Sequence, residues 1–271
     1  TIVSLHMPRE KIGSQMGINN SIRNVGSMLL TAVAGVLAVS RWQNAYLVYL
    51  VFIPIIIVAA TLTPEMPEEA RQAAASRSGE QKEKARIPGV IWVISLLGSV
   101  FYLGQYVFSL NISNYIVNVY QLGTSAQAGL VTSVYTLGGV LGGLTFRWWS
   151  KAFKGMASAA VYLLAAAGLL ITAFVTNSLA GAFAGAVLTG YGATFSSTFC
   201  MQQVALHLSP SQRSIGSSIY FGCTGVAAFL TTYIINGLAS LNGGSMTANF
   251  IMGAVICGTC ALWAALMFGR K

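Results

Sequence analysis

Arg23 lies within a long, largely apolar run whose nearest flanking charges are Lys11 and Arg41. Its guanidinium is a rigid fork of donors that matches a carboxylate or a phosphate. Where such a run crosses a bilayer, a charge near the centre costs at least ~2.5–3.5 kcal/mol on insertion scales, so a charge kept there needs a partner. Two readings stay open. In one, Arg23 lines a cavity and holds an anionic solute; in the other, it pairs with an acid on a helix outside this sequence. Gln15, Asn19 and Arg23 follow one another at four-residue spacing, with Asn20 and Asn24 beside them. On a helix they form one polar face of an otherwise apolar surface.

A second polar set lies further along. The run from Pro88 to Val119 carries Tyr102, Gln105, Tyr106 and Asn111, and helical spacing puts Tyr102 and Tyr106 on one face. Tyr135, Tyr191 and Tyr220 stand at comparable depth in three other runs. Each tyrosine either packs between helices with its hydroxyl satisfied or touches a ligand. The candidate solute-binding residues are therefore Arg23, Asn19, Asn20, Tyr102, Gln105, Tyr106 and Tyr191.

Other chemistry finds little support. There is no Asp, and the six Glu stand in polar connections between runs. Proton coupling through a membrane-embedded carboxylate would need an acid outside this sequence, or another group. His6 and His207 stand at the ends of runs, where interfacial packing competes with proton transfer. Cys257-Gly258-Thr259-Cys260 has the spacing of a metal or redox pair, but its run is uncharged and holds neither a second pair nor a histidine. Packing is the better reading, and no metal is expected. Asn111-Ile112-Ser113 has the form of a glycosylation acceptor but falls inside an apolar run. A Gly-x-x-x-x-Gly-Lys-Ser/Thr phosphate loop and a nucleophile–histidine–acid set are both absent, so neither ATP drive, enzymatic chemistry nor a cofactor is expected.

The elements that must position these residues are membrane helices. Hydrophobic residues make up 55% of the 271 and charged ones 8%, against roughly a quarter charged in soluble domains. Apolar runs of about 20 residues each suit lipid-spanning helices; the alternating ten-residue segments of a barrel do not occur. Eight spans are expected: about Ile12–Val39, Trp42–Leu62, Pro88–Val119, Ser125–Phe146, Met156–Val175, Leu179–Leu206, Ile215–Leu241 and Thr247–Phe268. The net charge of +9 follows from loop bias rather than nucleic-acid binding. Arg9, Lys11, the basic residues from Arg71 to Arg86, Arg147, Lys151, Lys154, Arg213, Arg270 and Lys271 occupy every second connection, and the alternate ones carry only Arg41. Cytoplasmic loops retain Lys and Arg, which puts both ends of this sequence in the cytoplasm. The stretch 64–87, with five of the six Glu among basic residues, reads as a cytoplasmic linker.

Glycines mark close helix contacts: Gly138 with Gly142, Gly139 with Gly143, and Gly181 with Gly185. Small residues four apart let backbones approach in lipid. Gly17 and Gly26 in the first span are matched by Gly216 and Gly225 in the seventh, and each pair follows a Leu-His and a proline-bearing basic loop. Six spans after a charged linker, with this weak repeat across it, resemble the major facilitator superfamily. The first span resembles the glycine ladder of the family's fifth helix through Gly17, Gly26, Ala34 and Gly35, with Leu30-Thr31 where the family has Gly-Pro. The loop after the fourth span resembles the family's Gly-x-x-x-Asp-Arg-x-Gly-Arg/Lys signature through Gly142, Arg147 and Lys151, with Phe146 at the acid and Trp149 at the second glycine.

The resemblance implies an all-α polytopic membrane protein, here an incomplete two-bundle fold of helices five to twelve. Residues 1–63 would end an N-terminal bundle, 64–87 would link, and 88–271 would form a C-terminal six-helix bundle. Helices one to four of the same protein would be the missing partner. The implied activity is secondary transport of a small solute by alternating access, in a plasma membrane of bacterial inner-membrane type, with Arg23 pointing to an organic anion. Export of neutral or cationic compounds is the alternative that the glycine ladder suggests, and a solute sensor without transport is a third. The topology is open to test: a cysteine placed at Ser76 should react with a membrane-impermeant maleimide only from the cytoplasmic side. Labelling of intact cells from outside would invert it.

Overall fold

The computed structural model describes residues 9–38, 41–62, 87–209, 212–241 and 245–269. Among these residues every element is helical. Helix α1 (Arg9–Ala38) is followed by a 3-10 helix (Trp42–Val51) that runs into α2 (Phe52–Leu62). Helix α3 (Gly89–Asn114) closes in a π-helical turn (Tyr115–Val119). Then come α4 (Ser125–Phe153), α5 (Ala157–Phe174), α6 (Leu179–His207), α7 (Arg213–Leu241) and α8 (Met246–Phe268). Each of the eight expected spans has its helix. All but Ile87 of the expected linker, and His6, lie outside the described residues.

Several ends are set by local chemistry. The Thr124 backbone N–H donates to Gln127 Oε1 at 2.8 Å, one arm of a capping box at the start of α4. Ser178 Oγ accepts from the Ala180 N–H at 3.1 Å and caps α6. At the other end of α6, buried Arg213 donates through Nε to the Ala205 carbonyl at 3.1 Å, satisfying a carbonyl in the last turn.

Two boundaries differ from the sequence reading. Helix α4 continues to Phe153, so Arg147 and Lys151 stand on a helix rather than in a loop; apolar Trp148, Trp149 and Phe153 carry it onward. Arg9, Glu10 and Lys11 likewise belong to the first turn of α1. The second span is not a continuous α-helix either. Tyr46, Tyr49 and Phe52 stack at successive centroid distances of 6.3 and 6.2 Å, because residues three apart eclipse one another in a 3-10 helix.

Among the described residues, five helical segments are long and apolar enough to cross a membrane: Gly89–Val119, Ser125–Phe153, Ala157–Phe174, Arg213–Ile235 and Met246–Phe268. Helix α6 is long enough at 29 residues, but it is rich in Gly, Ser, Thr and Gln. The reason is its position: Thr189, Ser196 and Thr198 are buried between helices. A span shielded from lipid has no need to be apolar all round. Helix α1 carries its own polar face, with Gln15, Asn19, Asn20, Arg23 and Asn24.

The chain divides into two compact units, Thr1–Leu29 with Gly89–Lys271, and Leu30–Pro88. The division falls inside α1, so the first two-thirds of that helix groups with the six later ones. Within this larger unit α6 packs on α4 and α5, α8 on α5 and α3, and α7 on α3. Glycines bring these backbones together. A Cβ on Gly253 would sit 2.6 Å from the Gly104 carbonyl oxygen, and one on Gly185 would sit 2.7 Å from that of Gly168. Helix α4 bears two such stripes. Gly138 and Gly142 face the backbone of α6 at Val187 and Tyr191, while Gly143 faces Gly17 and Ser21 of α1.

Because a Cβ on Gly143 would lie 2.6 Å from the Gly17 oxygen, even Gly143→Ala should lower folded yield and melting temperature in detergent. Gly258→Ala, whose Cβ would meet nothing within 4 Å, should leave both unchanged. Equal behaviour of the two variants would mean that α1 does not pack on this face of α4.

Candidate functional site

Three hydrogen bonds set how α1 lies in the larger unit. Asn20 Nδ2 donates to Thr198 Oγ1 at 2.9 Å, Asn24 Nδ2 to Thr194 Oγ1 at 2.8 Å, and Ser21 Oγ to the Val140 carbonyl at 3.0 Å. Two bonds run to α6 and one to α4, beside the Gly17–Gly143 contact. Together they turn Arg23, Asn24 and Ser27 towards a cavity of about 360 Å³, within the range of small-molecule sites.

Each of the five surrounding helices contributes one stripe at helical spacing. Tyr102, Tyr106 and Ser109 come from α3, and Tyr135, Thr136 and Gly139 from α4. Ala193, Thr194 and Ser197 come from α6, and Tyr220, Phe221, Thr224, Gly225 and Ala228 from α7. Among the described residues Arg23 is the one charged group on this wall, and most of its neighbours carry hydroxyls. The rings of Tyr102 and Tyr106 stack with centroids 5.2 Å apart and planes at 23°. Arg23 and Tyr102 are close enough to interact electrostatically. Tyr220 reaches its place because Gly98 is small: a Cβ there would lie 2.6 Å from the tyrosine ring.

Tyr135 is held from behind. Its hydroxyl donates to Gln105 Oε1 at 2.8 Å, and its ring stacks on Phe108 at 5.6 Å. Gln105 is fully buried, and its Nε2 has no hydrogen-bond partner. It backs the cavity wall rather than forming it.

The candidate residues therefore separate. Arg23, Tyr102 and Tyr106 share the cavity. Asn20 is spent on Thr198, Asn19 is exposed and off the wall, and Gln105 stands behind Tyr135. Tyr191 turns away: its hydroxyl bonds Thr145 at 2.5 Å, and its ring lies against Phe195 and Trp149. Gly142 is a packing glycine against Tyr191, and Arg147 is exposed on α4. Ser27, Ser109, Thr136, Thr194, Ser197 and Thr224 were missed as wall residues. Their only sequence signal is a hydroxyl on the same helical stripe as a tyrosine or Arg23, which is common in packed helices.

Cys200, Cys257 and Cys260 are buried free thiols. Among the described residues no three His, Cys, Asp or Glu side chains come together as a metal site. Asn111 turns its amide onto the Val107 carbonyl of its own helix at 3.0 Å.

Residues 1–126 match the family model described as Major Facilitator Superfamily. No curated protein matches the chain significantly.

The Asn24–Thr194 bond should be measurable as a coupling between α1 and α6. In a double-mutant cycle with Asn24→Ala and Thr194→Ala, the interaction term should be ~0.6 kcal/mol and at most ~1.7 kcal/mol, the range for such bonds between membrane helices. Strict additivity would show that the bond contributes nothing to this packing.

Proposed function

We propose that the chain, whose residues 1–126 match the family model described as Major Facilitator Superfamily, is a membrane transporter of that family that carries a small organic anion by alternating access and holds it through Arg23. One observation carries this reading. Arg23 is the sole charge on the cavity wall, and none of the helices that build the wall bears an acid except α1, at Glu10. Thirteen residues of helix put Glu10 about 20 Å from Arg23. Arg23 is exposed, so its guanidinium is open to a solute entering the cavity, and an anion pairs with it through charge-assisted hydrogen bonds.

The geometry supports this reading chemically. A carboxylate accepts two parallel bonds from guanidinium, and wall hydroxyls supply further donors. The tyrosine faces would also suit a cation through their quadrupoles. Arg23 opposes that, so export of a cation is the weaker alternative. Alternating access requires the α1 contacts to α4 and α6 to separate in one phase of the cycle. Contacts made of single neutral hydrogen bonds and glycine packing, rather than buried ion pairs, suit an interface that must part. The cytoplasmic placement of the C-terminus rests on the charge bias of the connections.

Substitution of Arg23 tests the reading in the full-length protein in proteoliposomes. Arg23→Lys should keep the charge and lose the bidentate fork, raising the KM for a transported anion roughly tenfold, about one hydrogen bond's worth of binding. Arg23→Ala should abolish anion transport while membrane insertion and melting temperature hold. If Arg23 is instead half of a structural ion pair, Arg23→Ala would strand its partner at a cost of ~3–5 kcal/mol. The protein would then be unstable whatever the solute, and neutralising that acid would restore both folding and anion transport.

A further inference from the structure

We propose that the anion is a planar aromatic monocarboxylate, a class that rests on the anion reading above and narrows it. The charge count comes first. One guanidinium on the wall, with no second cation beside it, neutralises one negative charge. A dianion would leave one of its charges without a partner on this wall. A monoanion is matched.

The wall then selects what is attached to the carboxylate. Tyr102 and Tyr106 lie one helical turn apart with stacked rings, 5.2 Å between centroids. They form one stacked aromatic unit beside Arg23. Tyr220 and Phe221 enter from α7 and Tyr135 from α4, so rings stand on three of the five sides. Tyr135 is braced by its bond to Gln105 and by Phe108. Tyr220 is fixed against Gly98 and is only 3% exposed. Tyr135 and Tyr220 are therefore held in place, and their rings offer fixed aromatic contacts to a solute.

Aromatic pairs prefer offset-stacked or edge-to-face geometry and gain more than their buried area alone provides. A saturated ring of the same size and charge gains only the area. The cavity of about 360 Å³ admits an aromatic ring with its carboxylate against Arg23. Wall hydroxyls from Ser27 and Ser109 suit a ring that carries a hydroxyl of its own.

The experiment uses the full-length protein and four probes of matched size: benzoate, 4-hydroxybenzoate, cyclohexanecarboxylate and benzamide. Binding is read by calorimetry and by competition for uptake in proteoliposomes. The two aromatic acids should bind roughly three- to tenfold tighter than cyclohexanecarboxylate, the fold-change that aromatic contacts provide beyond area. Benzamide, aromatic but uncharged, should bind at least tenfold more weakly than benzoate. Tyr106→Leu should remove the preference for the aromatic acid while keeping that for carboxylate over amide. Equal affinity for benzoate and cyclohexanecarboxylate in the unaltered protein would overturn the aromatic class and leave the anion reading standing. Equal affinity for benzoate and benzamide, or no binding of any carboxylate, would overturn both.

Discussion

Gly17 and Gly143 face each other across α1 and α4 with no side chain between the carbonyl of one and the Cα of the other. The position of the site depends on that approach. In lipid there is no water to expel, so helices associate through packing and hydrogen bonds, and how near two backbones come decides how much packing each pair gains. Here the small residues extend beyond one pair. Gly138 and Gly142 seat α4 on α6, Gly168 and Gly185 seat α5 on α6, and Gly104 and Gly253 seat α3 on α8. The result is a closely spaced framework into which longer side chains fit only where a stripe of glycines ends.

The same closeness makes the polar residues effective. Asn20, Ser21 and Asn24 reach partners on α4 and α6 because the helix that carries them lies against those two. With these side chains engaged, Arg23 is left to face the cavity. Helix α6 receives these bonds and can be rich in hydroxyls because its neighbours shield it from lipid. The polarity that excludes it from the list of strongly apolar spans is the polarity that builds one wall of the site.

The tyrosines illustrate how packing distributes similar residues among different tasks. Tyr102, Tyr106, Tyr135 and Tyr220 meet at one cavity, whereas Tyr191, at comparable depth, bonds Thr145 and packs against Phe195. Nothing in the local sequence separates Tyr191 from Tyr135. The difference is the rotation of α4 and α6 about their axes, fixed by which glycine stripe faces which backbone. Gln105 shows the converse: its place one turn from Tyr102 and beside Tyr106 suggests a ligand contact, yet it is buried behind the wall and positions Tyr135.

The amino-acid sequence by itself determined that this chain is built of apolar, membrane-type helices, because length and apolarity are properties of each segment alone. It also determined the isolation of Arg23 from any acid on the spans that follow it, since that needs only a reading of residue types. Glycine spacing likewise marked the tight contacts on α4 in advance. What only the tertiary structure decided is which residues share a space. Asn19, Asn20 and Arg23 share one broad face in a helical projection, and only the bonds of Asn20 to Thr198 and Asn24 to Thr194 fix the rotation that gives Asn20 to a neighbour and Arg23 to the cavity. The continuation of α4 through Arg147 and Lys151, and the 3-10 start of the second span, were equally hidden. Helix ends and helix rotations depend on contacts between segments distant in the chain, and no local pattern of residues contains those contacts.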